Sequence, residues 1–175
     1  MGYPLSFNNE RIEFIKENVP LKDSFMVDIG TREGDMVKKY LEEGAKEIHC
    51  YEPSINQNPK SRFEGYKSIK FINKKFPDSI SGVKFDYDIC SFIGNLISQL
   101  RLIKNDYYHK VIEIITTRCD YIILECRKMD SGEIIKDFVK FNNPFNDSKR
   151  EVIGRRIGKI SPATNEKRWE IIIIR

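Results

Sequence analysis

Two short stretches that combine acidic residues with glycines are the part of the sequence best suited to bind a ligand. Asp28 lies near the end of an apolar run and is followed by Gly30 and Gly34. Glu52 comes 24 residues after Asp28 and directly precedes Pro53. Glycines between a strand and a helix permit a tight turn and a close approach of backbone to ligand. An acidic residue at about this interval commonly accepts hydrogen bonds from ribose hydroxyls. The pattern therefore predicts a site for an adenosyl ligand.

The residues around Gly30 and Gly34 also argue against some classes of nucleotide ligand. The full Gly-x-Gly-x-x-Gly pattern of dinucleotide sites is missing, and Arg32 occupies the middle of the turn. No Gly-Lys-Ser or Gly-Lys-Thr occurs, which excludes a P-loop. The Asp28 carboxylate would repel a phosphate but could hold a cationic amino group, directly or through water. Whether Arg32 blocks the pocket or contributes to it stays open at this point.

Two residues are candidates for proton transfer. Glu125 stands near the carboxyl end of an apolar run, so it must be paired or face a cleft. His49 stands three residues before Glu52, although a histidine there is more often part of a buried face. No metal site is expected, because only His49 and His109 could join the four cysteines, which form no Cys-x-x-Cys pair.

The elements that position these residues begin with a βαβ unit. Phe25–Ile29 reads as a strand, Gly34–Glu43 as a helix ended by Gly44, and Glu47–Glu52 as a second strand. A crossover of this length implies that the two strands are parallel. Asp28 and Glu52 would then lie at the carboxyl ends of neighbouring strands.

The rest of the chain continues the alternation of strands and helices. We expect further strands at Ser68–Asn73, Phe85–Phe92 and Asp120–Cys126, and helices at Asn9–Asn18, Ile93–Thr117 with a break near Asp106–Tyr108, and Gly132–Phe141. Lys74–Lys84 is a poor helix and is expected to be loop, and Asn143–Phe145 is expected to be a turn. Arg150–Ile160 and Lys167–Ile174 predict a terminal antiparallel hairpin. The fold class is therefore α/β: a Rossmann-like, mostly parallel sheet with helices on both faces and a C-terminal antiparallel hairpin.

The stretches VDIGTREGD and AKEIHCYEPS resemble motif I and the acidic loop of class I S-adenosylmethionine (SAM)-dependent methyltransferases. The strand that ends in Glu-Pro is similar to that of the FkbM-like O-methyltransferases. The resemblance implies a SAM cofactor and methyl transfer to an unidentified acceptor, with oxygen as the expected atom. It implies a cofactor site made of Asp28, Gly30, Thr31, Arg32, Gly34, Glu52, Pro53, Ser54, Asn73, Ser91 and Phe92. Within that site, Glu52 would hold the ribose, with Pro53 and Ser54 beside the adenine.

Two other functions remain open from the sequence. A chain of 175 residues leaves little room for a substrate lid beyond the sheet, which suits a non-catalytic SAM-fold binding or scaffold protein. An RNA methyltransferase is the other, since a basic run in the hairpin could contact phosphate: Lys149, Arg150, Arg155, Arg156 and Lys159. The run is equally typical of an edge hairpin kept from aggregation by charge.

Size and composition fit one domain spanning residues 1–175. Hydrophobic residues make up 40% and charged residues 32%, as in ordinary globular proteins. The net charge is +4, with a pI near 8.8, so the surface is mildly basic. No apolar run approaches the roughly 20 residues of a membrane span, and residues 1–9 lack the pattern of a signal peptide. We therefore expect a cytoplasmic protein that does not contact membranes.

Overall fold

The computed structural model describes residues 5–53, 59–76, 86–94, 96–103, 105–158 and 169–175, and its main feature is a seven-stranded sheet. The strands of this sheet are β1 Phe25–Ile29, β2 Glu47–Tyr51, β3 Ile69–Ile72, β4 Tyr87–Phe92, β5 Cys119–Arg127, β8 Val152–Ile157 and β9 Trp169–Ile174. A separate two-stranded ribbon joins β6 Asn142–Asn143 to β7 Ser148–Lys149.

The strand order is β3-β2-β1-β4-β5-β9-β8. Strands β1 to β5 are parallel, whereas β9 is antiparallel to both β5 and β8. The chain runs outward from β1 through β2 to β3 and then returns to the other side of β1 with β4. The carboxyl end of β1 is therefore a topological switch point, the place where open α/β sheets bind ligands. The predicted fold class is confirmed.

In the part of the chain that the structure describes, five α-helices cover the two faces of the sheet: α1 Leu5–Asn18, α2 Asp35–Glu42, α3 Leu96–Ile103, α4 Asn105–Arg118 and α5 Ser131–Val139. One buried cluster joins α1 and α2 to the sheet, through residues such as Ile15, Val37 and Ile123. The other joins α3, α4 and α5 to the opposite face, through residues such as Ile112 and Phe138. Within the described ranges, no helix has both the length and the apolar character needed to cross a bilayer.

Two predicted elements differ in detail, and one element was not predicted. Helix α1 begins at Leu5 rather than Asn9. The helix expected over Ile93–Thr117 with a break near Asp106–Tyr108 is two helices, Leu96–Ile103 and Asn105–Arg118, so the break comes earlier than expected. Helical spacing put Ile103 on the buried face, but it is 75% exposed, so the apolar stripe does not continue across the break. The β6–β7 ribbon was not predicted, although its connection includes the expected turn. Most of Lys74–Lys84 lies outside the described residues.

Candidate functional site

The turn after β1 contains three residues with left-handed backbone: Gly30 with φ 76°, Arg32 with φ 51° and Gly34 with φ 78°. Glycine adopts this conformation without steric cost. At Gly30 a side chain would also collide, since a Cβ there would lie 2.9 Å from Cδ2 of Leu96. Both the turn and the approach of α3 to it therefore depend on Gly30.

Hydrogen bonds connect the turn after β1 to the end of β2. The N–H of Arg32 donates to Oε2 of Glu52 at 2.9 Å, and the N–H of Gly30 donates to the carbonyl of Tyr51 at 2.9 Å. When the side-chain amide of Asn73 is oriented with its nitrogen facing the end of β2, this nitrogen donates to the backbone carbonyls of Glu52 and Pro53, at 3.0 and 3.3 Å. Asn73 thus holds the chain that carries Glu52, and the Glu52 carboxylate is aimed at the glycine turn.

A cleft of about 190 Å³ opens at this point of the sheet. It lies over the carboxyl ends of β1, β2 and β4 and is lined by Gly30, Arg32, Glu52, Pro53, Ile93, Gly94, Leu96 and Gln99. Four of these were predicted as cofactor-binding residues, whereas Gly94, Leu96 and Gln99, which follow β4, were not predicted. A glycine two residues after a strand, Gly94 with φ 97°, was the sequence signal that could have located that side of the cleft.

Asp28 lies near the cleft as a buried carboxylate that is only 4% exposed. Burial raises its pKa to about 6, against the opposing effect of hydrogen bonds with the hydroxyls of Ser91 and Thr31. Ser91 in turn lies 2.8 Å from the hydroxyl of Tyr40 on α2. Asp28, Thr31 and Ser91, which the resemblance assigns to the cofactor site, therefore belong to one buried polar network, and Tyr40 is a member that the sequence did not reveal.

Glu125 is completely buried and forms an ion pair with Arg11 of α1. Nε of Arg11 donates to one carboxylate oxygen and Nη2 to the other, both at 2.6 Å, while Nη1 donates to Oδ1 of Asn8 at 2.8 Å. Burial raises the pKa of Glu125, and the charges of Arg11 and Arg32 oppose that shift. An acidic residue in an apolar strand was expected either to be paired or to face a cleft, and Glu125 is paired.

His49 lies at the opposite end of the sheet from the cleft. Its Nδ1 is 2.9 Å from the hydroxyl of Tyr87 and its Nε2 is 2.7 Å from Oε1 of Glu47. Its ring makes an edge contact with Phe25, with 5.5 Å between ring centroids. Tyr87, Glu47 and Phe25 are the first residues of β4, β2 and β1, so this position argues against a catalytic role for His49.

Phe92 is also placed away from the cleft. It is fully buried in the cluster beneath α3, α4 and α5, on the opposite face of the sheet from Asp28. Alternation along β4 explains the difference, because Ser91 and Phe92 point to opposite faces. Ser54 lies outside the described residues.

The basic run of the hairpin is only partly exposed. Arg150 is 3% exposed and donates to the backbone carbonyls of Thr116, Cys119 and Asp120, which corrects its assignment as a phosphate contact. Arg155 forms an ion pair with Glu170 at 2.6 Å. Lys149 and Arg156 are exposed, and Lys159 lies outside the described residues.

The sequence matches no protein-family model and no curated protein. Solved structures do resemble the fold. A proposed RNA methyltransferase from Pyrococcus horikoshii has a TM-score of 0.65 and 15% identity, over 95% of this chain and 81% of that one. Magnesium protoporphyrin IX methyltransferase from Synechocystis PCC 6803, crystallised with SAM, has a TM-score of 0.65 and 12% identity, over 98% and 79%. Ribosomal protein L11 methylase from Lactobacillus delbrueckii subsp. bulgaricus has a TM-score of 0.68 and 12% identity, over 96% and 78%.

These similarities show that the chain shares its fold with methyltransferases, one of which was crystallised with SAM. They do not single out the FkbM-like enzymes. By their names, the three proteins act on RNA, a porphyrin and a ribosomal protein, so the fold itself does not define the acceptor.

Proposed function

We propose that the cleft binds SAM and that the protein transfers the methyl group of SAM to an acceptor oxygen. The observation that carries the proposal is the convergence of two carboxylates, Asp28 and Glu52, on one glycine turn at the switch point of the sheet. A ligand with a cationic amino group and a ribose suits Asp28 and Glu52, whereas the Asp28 carboxylate would repel a pyrophosphate at the turn. The residues present therefore fit SAM better than a dinucleotide.

Each residue of the turn has a defined part in holding the cofactor. Glu52 accepts hydrogen bonds from the ribose hydroxyls, and Asp28 attracts the amino group of the methionine part. Gly30, Thr31 and Gly34 let the backbone approach that part closely, while Pro53 and Asn73 define the adenine end. SAM supplies a methyl group already activated by the sulfonium, so the protein contributes chiefly by positioning the two reactants.

Transfer to a hydroxyl is helped by a base. Glu125 is the better placed of the two candidates, because it stands near the carboxyl end of β5, at the same edge of the sheet as the cleft. Both of its oxygens are held by Arg11, so it acts as a base only if that ion pair opens. The assignment of oxygen as the acceptor atom itself rests on the FkbM-like strand end at Glu52-Pro53.

A titration with several nucleotides tests the cofactor. We expect micromolar affinity for SAM and for its demethylated product, and at least 100-fold weaker binding of NAD. Tight binding of NAD without binding of SAM would overturn the proposal. If SAM binds, the acceptor can be sought with SAM that carries a deuterated methyl group, by mass spectrometry of labelled products.

A non-catalytic SAM-binding protein is the second candidate. It is favoured by one observation: neither Glu125 nor His49 is among the described residues that line the cleft. Binding of SAM without label transfer to protein, RNA or small molecules of a cell extract would favour this candidate over the enzyme.

RNA is the alternative acceptor. Lys149 of the β6–β7 ribbon and Arg156 of β8 are exposed and available to phosphate, and one protein of similar fold is a proposed RNA methyltransferase. RNA binding through such cations weakens steeply as salt is added. The logarithm of the association constant falls linearly with the logarithm of the salt concentration, with a slope close to the number of phosphate contacts. An affinity for RNA that is absent or independent of salt would count against it.

A further inference from the structure

Arg32 is an unusual residue for its position in the turn. Its φ of 51° lies in the left-handed region, which costs a non-glycine residue roughly 1–2 kcal/mol. Left-handed residues flank it on both sides, at Gly30 and Gly34, and both of those are glycines. Strain of this kind occurs most often at ligand-binding sites, where the side chain has a use.

The side chain of Arg32 reaches across the cleft. Its guanidinium carbon lies 3.9 Å from the point that a Cβ on Gly94 would occupy, so it extends from the turn after β1 to the turn after β4. Burial raises the pKa of Glu125 on β5, and the charge of Arg32 is one of the charges that oppose this rise. The cation therefore lies on the β4 side of the cleft, whereas Glu52 lies at the end of β2.

Charges of opposite sign are thus distributed along the site. Glu52 stands at the β2 side, the buried Asp28 at the end of β1, and the Arg32 guanidinium towards β4. SAM carries a ribose, an ammonium and one anionic group, the carboxylate of its methionine part. An arginine guanidinium binds a carboxylate through two parallel hydrogen bonds, which a lysine does not reproduce.

We propose that Arg32 binds the methionine carboxylate of SAM, so that Asp28 and Arg32 together select a zwitterionic amino-acid group. This inference rests on the proposed function. Asp28 by itself would accept any cationic adenosyl ligand, and Arg32 adds discrimination against ligands that lack a carboxylate.

Three ligands and three variants separate this role from others. Calorimetry would compare SAM, decarboxylated SAM and 5′-methylthioadenosine, of which only SAM has the carboxylate. The variants are Arg32→Gly, which suits the left-handed backbone, Arg32→Lys, which keeps the charge, and Lys38→Gln, a control at an exposed cation of α2. Thermal unfolding of Arg32→Gly would confirm that it remains folded.

The wild-type protein should bind SAM about 10- to 100-fold more tightly than decarboxylated SAM, the range expected for charge-assisted hydrogen bonds. Arg32→Gly should lose this preference while its affinity for 5′-methylthioadenosine changes less than about threefold. Arg32→Lys should keep part of the preference, and Lys38→Gln should keep all of it.

Three results would overturn the role of Arg32 and leave SAM binding intact. The first is equal affinity of the wild-type protein for SAM and decarboxylated SAM, and the second is an undiminished preference in Arg32→Gly. The third is tighter binding of all three ligands by Arg32→Gly, which would make Arg32 an obstruction. Failure of the wild-type protein to bind any of the three would instead overturn the proposed function, and this inference with it.

Discussion

The backbone N–H of Arg32 donates to a carboxylate oxygen of Glu52 at 2.9 Å and joins the glycine turn after β1 to the end of β2. The bond links two segments that lie 20 residues apart in sequence. It orients the half-buried Glu52 carboxylate over the cleft before any ligand arrives. A carboxylate that is already oriented loses less conformational entropy on binding, so its hydrogen bonds to a ribose contribute more fully to affinity.

Replacement of Glu52 tests this arrangement. In Glu52→Gln the side-chain carbonyl can still accept from Arg32, but the charge that strengthens a hydrogen bond to ribose is gone. We expect SAM affinity to fall by about 1.5–3 kcal/mol, the scale of hydrogen bonds to charged groups. Calorimetry would measure it, with Glu33→Gln as a control at an exposed carboxylate of the same turn. An affinity within threefold of wild type in a folded Glu52→Gln protein would contradict the role.

Asp28 should lower the stability of the free protein at neutral pH. Burial raises its pKa to about 6 from 3.8. The folded protein therefore binds the proton of the Asp28 carboxyl group more tightly than the unfolded chain does. The free energy of unfolding falls as pH rises from about 3.8 to about 6. At about pH 7.5, Asp28→Asn should raise the free energy of unfolding by about 1–3 kcal/mol. Urea denaturation should show this gain disappearing near pH 4.

The exposed Asp23 provides the control for Asp28, since Asn tolerates its left-handed backbone as well as Asp does. Asp23→Asn should change the free energy of unfolding by less than about 0.5 kcal/mol at either pH. The gain in Asp28→Asn should come with weaker SAM binding, because the amino group loses its counter-charge. If Asp28→Asn brings no gain in stability at neutral pH, hydrogen bonds to the charged Asp28 offset the cost of its burial, and the prediction is contradicted.

The Arg11–Glu125 ion pair should contribute to stability as a unit. Arg11→Met or Glu125→Leu leaves one buried polar or charged group without its partner, which typically costs about 3–5 kcal/mol of unfolding free energy. The double variant Arg11→Met/Glu125→Leu removes both charges and should recover most of that loss. Urea unfolding of the four proteins completes the cycle, and single variants within about 1 kcal/mol of wild type would contradict it.

Gly30 and Gly65 form a matched pair for testing the turn. Both have positive φ, 76° and 88°, but only Gly30 has a neighbour in the way, Cδ2 of Leu96 at 2.9 Å. In each alanine variant the left-handed backbone should lower the free energy of unfolding by roughly 1–2 kcal/mol. In Gly30→Ala overpacking against Leu96 should lower it by about 1 kcal/mol more. Adding Leu96→Ala to Gly30→Ala should relieve the collision. Equal losses in the two single variants, measured by chemical denaturation, would show that Leu96 moves aside freely.

The sequence was most informative where local patterns decide the structure. Apolar runs ended by glycine or proline located β1 and β2, and the interval from Asp28 to Glu52 placed both at the correct edge of the sheet. Alternation within a strand was harder to use without the sheet. For this reason Phe92 was assigned to the site together with Ser91, although the two residues point to opposite faces.

Contacts between distant segments could not be predicted. Arg11 and Glu125 are 114 residues apart, and no local pattern shows that α1 crosses the carboxyl end of β5. The nearness of His49 to Glu52 in sequence was misleading, because its ring contacts the first residues of three strands rather than the cleft. The partners of both candidate bases became clear only with the assembled sheet.

The central claim is that SAM binds at the glycine turn after β1, and amide chemical-shift mapping during titration with its demethylated product tests it most directly. The account predicts saturable shifts confined to the turn at 28–34, the end of β2 at 51–53 and the segment 91–99. No shifts from a folded protein, or shifts confined to the larger cleft around Phe63, Tyr66 and Phe71, would contradict it.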